Sequence, residues 1–109
     1  MKKVLLCPPT FYDIEYEINP WMHVENKVNK EKVLTEYKEL KEVYQSLGVE
    51  VLELDPVKGL PDMVYAANLG FPLGNNFVVS NFRYEQRRKE SIYIKIKIKK
   101  LGFTIINLP

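Results

Sequence analysis

Residues 47–56, LGVEVLELDP, return at 101–109 as LGFTIINLP: Leu-Gly, an apolar residue, a spacer, two apolar residues, a spacer, then Leu and Pro. A repeat of this size implies one supersecondary unit used twice. The first copy shows what that unit contains. Between Asn29 and Leu47 the residues Val33, Tyr37, Leu40, Tyr44 and Leu47 recur every three or four positions, which marks one face of a helix with Lys and Glu elsewhere. Asn29 suits the N-cap and Gly48 the residue just past the C-terminus. Upstream, KVLLCP (3–8) is expected to be a short buried strand stopped by Pro8 and Pro9, and downstream VEVLEL (49–54) a strand stopped at Asp55-Pro56.

The second copy carries a conflict. SIYIKIKIKK (91–100) places Ile92, Ile94, Ile96 and Ile98 in strict alternation with Tyr or Lys, a period-2 signal for a half-exposed strand. The repeat instead demands a helix over 84–101. We take the repeat as the longer-range constraint and expect a helix, with an aggregation-prone Ile/Lys strand as the alternative. Between the copies, LPDMVYAANLG (60–70), a Gly-Asn-Asn turn at 74–76 and FVVSNF (77–82) suggest strand, turn, strand. The fold class expected is α/β, with a first unit at 1–57 and a second at 58–109. Two units that each leave an apolar face for a neighbour make an open arc. The stop at the last residue of the second copy is therefore expected to be a truncation.

Composition narrows the classes. An apolar fraction of 46% and a charged fraction of 28% are ordinary for a globular chain. A net charge of +2 argues for neither a nucleic-acid partner nor a membrane surface. The single cysteine, Cys7, allows no internal disulfide and fits a reducing compartment. The apolar run in MKKVLLCPP is too short for a secretory signal, so a cytoplasmic location is expected. With one histidine, His23, and no second His or Cys beside it, no metal or other cofactor is expected.

CPPTFYDIEYEINPWM (7–22), LPDMVYAANLG (60–70) and NFRYEQRRKE (81–90), in this order and spacing, resemble the amino-terminal part of the guanidine-modifying enzymes, the penteins. These include dimethylarginine dimethylaminohydrolases, arginine deiminases, arginine dihydrolases and amidinotransferases, and the likeness is greatest to the dihydrolase type. The resemblance implies a five-bladed α/β propeller of ββαβ-type units, of which this chain would hold two. It implies C–N hydrolysis of arginine or a related guanidine compound by a cysteine that forms a covalent thiouronium, with a histidine as general acid/base. Guanidinium is a planar cation with in-plane N–H donors and needs acceptors held in one plane. Asp62 and Asn68 stand where the family places that polar wall. Arg87 matches an arginine that holds the substrate carboxylate, and Asn19 matches a ligand-contacting asparagine. Where Asn68 stands, deiminases and dimethylaminohydrolases tend to carry Asp, and an amide offers one acceptor and two donors instead of two charged acceptors. The family's nucleophile, histidine and acidic motif lie downstream of the matched part, so no catalytic residue is expected in this chain. A second chain carrying the remaining units is an implied partner.

Each of these residues also has an ordinary explanation. Asn68 before Gly70, and Asp62 after Pro61, are good turn chemistry. NFRYEQRRKE can be the charged start of a helix, although Arg in a first turn is unfavourable. Cys7 suits a small buried hydrophobe, and Trp21 with the aromatics of 11–16 suits packing. A non-catalytic remnant, or a self-assembling module that binds a small cationic ligand or a partner chain, is the competing function.

Overall fold

The computed structural model describes residues 2–109. The architecture is mixed α/β, in two compact units: one ends at Val64 and the other runs Tyr65–Pro109.

The first unit holds β1 (Lys3–Leu6), α1 (Lys30–Ser46) and β2 (Glu50–Glu53). β1 and β2 are parallel, with Lys3 opposite Glu50, and α1 makes the crossover between them as a parallel pair requires. Asn29 caps α1 by accepting from the Lys32 backbone N–H at 3.1 Å. The helix is anchored by Val33, Tyr37, Lys41 and Tyr44, while Leu40 and Leu47 lie on the exposed side. The expected face is thus rotated. Its cause is Glu53 on β2, which accepts from the Tyr37 hydroxyl at 2.7 Å and from Lys41 Nζ at 2.8 Å. Cys7, Leu54, Leu60 and Met63 form the buried apolar centre.

The second unit holds β3 (Gly70–Leu73), β4 (Asn76–Val79), α2 (Glu85–Arg88), α3 (Glu90–Lys100) and β5 (Thr104–Asn107). β3 and β4 form an antiparallel hairpin, and β4 pairs in parallel with β5. Gly74 takes φ +61 at the hairpin turn, where a tight connection needs a positive φ. The 91–100 conflict resolves as helix. Ile94 and Ile98 are 0% and 2% exposed, whereas Ile92 and Ile96 are 58% and 50% exposed. Residues spaced by two alternate faces on a strand, but on a helix only those four apart share one.

Residues 60–69 are not a strand. They form two single-turn 3₁₀ helices, Pro61–Val64 and Ala66–Asn68. Pro61 removes a backbone donor that a ladder would use. Leu60, Pro61, Asp62, Met63 and Leu69 are buried, a run with none of the alternation of a half-exposed strand.

The sequence repeat is present at the level of single hydrogen bonds. Glu50 N donates to Lys2 O at 3.0 Å, and Thr104 N to Asn75 O at 2.9 Å. Asn76 opposes Thr104 in β4–β5 as Lys3 opposes Glu50 in β1–β2. Both helices end in the same motif: Gly48 N to Gln45 O and Val49 N to Tyr44 O in one, Gly102 N to Lys99 O and Phe103 N to Ile98 O in the other. Positive φ at Gly48 and Gly102 lets these bonds cover the last helical carbonyls.

Candidate functional site

Arg87 is the penultimate residue of the short helix α2 and Glu90 opens α3. Glu90 continues the buried stripe of Ile94 and Ile98, so the fold carries its carboxylate to 0% exposure. An isolated carboxylate there would cost several kcal/mol. Arg87 offsets this with a side-on pair: Nε donates to Glu90 Oε2 and Nη2 to Oε1, both at 2.9 Å. The Phe82 ring lies against the guanidinium, 4.4 Å from its centre. Arg87 Nη1 then donates to Asn68 Oδ1 at 3.0 Å. Asn68 itself is exposed. Its backbone is tied to the end of β4, where Ser80 Oγ donates to Asn68 O at 2.5 Å and Ser80 N to Leu69 O at 3.0 Å.

The structure therefore joins Asn68 and Arg87 directly. The other two expected residues lie in the first unit. Asp62 is buried and accepts from the Tyr16 hydroxyl at 2.7 Å. Asn19 is exposed and accepts from the Trp21 backbone N–H at 2.9 Å, closing a local turn. Arg88 is not part of the cluster. Its guanidinium donates to the backbone carbonyls of Phe82 and Arg83.

Three participants were missed from sequence: Glu90, Phe82 and Tyr16. Glu90 had a usable signal, an opposite charge three positions after Arg87. Phe82 and Tyr16 had none, because their roles depend on where their rings lie after folding.

The loop that carries Asn19 is held at its base by Asp13. Its carboxylate accepts from the N–H groups of Ile14 at 2.8 Å and Val28 at 3.2 Å, and Lys30 Nζ stands 3.7 Å away. Lys27 and Lys30 donate to the carbonyls of Ile14 and Tyr12. Burial alone would raise the Asp13 pKa, but these N–H groups and the two lysines outweigh it and hold the pKa below 3.8. Cys7 is buried, with Sγ facing the Pro8 carbonyl at 3.7 Å. Among the described residues no helix is long and apolar enough to cross a membrane.

Comparison with known proteins places this geometry in a family. The family model described as N,N dimethylarginine dimethylhydrolase, eukaryotic, matches residues 13–108. The bifunctional arginine dihydrolase/ornithine cyclodeaminase ArgZ of Synechocystis is 39% identical over 98% of this chain and 15% of its own length. The N(G),N(G)-dimethylarginine dimethylaminohydrolase of Mycobacterium tuberculosis is 39% identical over 83% of this chain and 30% of its own. The crystal structure of the product-bound N-terminal domain of ArgZ, from the cyanobacterial ornithine-ammonia cycle, superposes with a TM-score of 0.88 at 39% identity, covering 98% of this chain and 39% of that one. The chain thus spans well under half the length of these relatives. It belongs to the dimethylarginine dimethylaminohydrolase-like family of guanidine-modifying enzymes, the penteins, and its likeness extends to the arginine dihydrolase type.

Proposed function

We propose that this chain supplies the ligand-binding part of a cytoplasmic C–N hydrolase that acts on arginine or a related guanidine compound. The observation that carries the proposal is the fixed pair Asn68–Arg87, an exposed amide locked to a buried guanidinium. Two residues nineteen apart in sequence meet, and both stand at positions to which the resemblance assigns substrate contact. Asn19, Asp62, Asn68 and Arg87 are the ligand-contacting residues. Asp62 contributes a carboxylate aligned by Tyr16, the acceptor type a guanidinium needs.

The two repeated units, 1–57 and 58–109, are two blades of the family's propeller. The only cysteine lies buried beside β1 and the only histidine lies in the loop ahead of α1. Neither serves as nucleophile or general base, and the covalent thiouronium chemistry depends on groups outside these residues. Turnover is therefore expected only when the chain is combined with the remaining units. The test is to mix it with a separately folded chain carrying those units, supply arginine, and measure ammonia and ornithine. Release by the mixture and by neither part alone supports the proposal. A folded partner that restores no release counts against it. The competing role as a self-assembling module draws on the exposed apolar side of α1 and is tested by mass in solution.

A further inference from the structure

Glu90 is the fully buried member of a set of contacts that reaches the surface at Asn68. The side-on pair fixes the plane of the Arg87 guanidinium, and the Phe82 ring covers one of its faces. A guanidinium carries donors only, so the Asn68 atom that faces Nη1 must be the carbonyl oxygen. The other end of that amide, Nδ2, points away from Arg87. Nδ2 has no hydrogen-bond partner among the described residues. An unrestrained exposed Asn could rotate its amide by half a turn and present its oxygen instead. Here that rotation would set an NH₂ group against a guanidinium.

We infer that Glu90 is a positioning residue: through Arg87 it holds the Asn68 amide with its N–H pair outward. Position 68 then meets a ligand as a hydrogen-bond donor, to a carbonyl or carboxylate oxygen and not to a guanidinium. The donor assignment rests on the ligand role proposed for Asn68; the relay from Glu90 to the amide does not.

The test uses the ¹⁵N-labelled 109-residue chain and side-chain NMR. In the unaltered chain Arg87 Nε–H exchanges at least about ten-fold more slowly than that of exposed Arg83, and its two Nη groups give separate signals. Glu90→Gln keeps the shape and one acceptor but removes the charge. It is expected to bring Arg87 exchange toward that of Arg83 and to move the Asn68 Nδ2H₂ signals, with Glu90→Asp partly restoring both. Freely rotating Arg87 Nη groups in the unaltered chain would overturn the relay, whatever the variants do. So would unmoved Asn68 signals in a folded Glu90→Gln chain. Methylurea and acetate, which offer acceptors, are expected to shift Asn68 Nδ2H₂ where methylguanidinium does not. Methylguanidinium acting alone would overturn the donor assignment. If none of the three shifts the amide while Glu90→Gln does, the relay is supported and the ligand role of Asn68 is what fails.

Discussion

A Cβ built on Gly70 would stand 2.2 Å from the Val78 carbonyl oxygen and 2.6 Å from the Phe77 ring, at a φ of +150°. Backbone cannot yield as a flexible side chain can. Gly70→Ala is therefore expected to cost about 3 kcal/mol through overlap and backbone strain, lowering the thermal midpoint and loosening the β3–β4 hairpin. An unchanged melting curve would show that β4 does not lie that close. The same residue explains part of the LPDMVYAANLG stretch. Gly70 is small because β4 approaches it, while Asn68 is the last residue of the second 3₁₀ turn, one position before the buried Leu69, and is exposed. Gly70 is thus accounted for by packing alone. The sequence motif pointed to Asn68 and Arg87 as a pair. It could not show that Glu90 would be drawn into the core, since a Glu in a helix's first turn is most often a solvated, dipole-favoured residue.

Among the elements, the loop before α1 and the helix itself have opposite pH signatures. Asp13 has its pKa lowered in the folded chain, so its stabilising contribution is present above pH 3.8 and is lost as pH falls through the lower folded value. The difference in melting temperature between the unaltered chain and Asp13→Asn should be steady near neutrality and shrink on acidification below about pH 3.8. A constant difference down to strong acid would show that Asp13 does not clasp the loop. Tyr37 behaves in the other sense. Burial, then the hydrogen bond and the charge of Glu53, raise its pKa well above 10.0. Its contribution is complete below the unfolded value of 10.0 and is lost as pH rises through the folded one. Alkaline difference spectroscopy should find one of the seven tyrosines ionising later than the rest, and Tyr37→Phe should remove that late step. Helix existence was legible here from caps and periodicity. The facing of α1 was not, because Lys41 replaces an apolar residue on its packed side and is drawn there by Glu53.

For the whole molecule, what matters is how much apolar surface the two units leave uncovered. Leu40, Val43 and Leu47 on α1 are 46%, 55% and 72% exposed, and their spacing puts them on one side of the helix. Surfaces of this kind drive association in isolated chains. Sedimentation is expected to show the mean mass rising with concentration, and Leu40→Lys with Val43→Glu to suppress the rise. A chain that stays monomeric at all concentrations would argue that this face is already satisfied by packing. The repeat was readable at 47–56 and 101–109 because each copy carries the same helix-stopping Leu-Gly and the same strand, and those depend on local backbone chemistry.

By itself the sequence determined the α/β class, the cap at Asn29 and the paired Leu-Gly stops, because capping, positive-φ turns and helical periodicity act over a few neighbouring residues. Only tertiary structure decided that 60–69 turns as 3₁₀ helix, that Ile94 and Ile98 go inward while Ile92 and Ile96 do not, and that Glu90, Arg87 and Asn68 form one line of contacts. Those outcomes depend on which distant surfaces come together to exclude water and pair buried charge, and that is not written in any short stretch of chain.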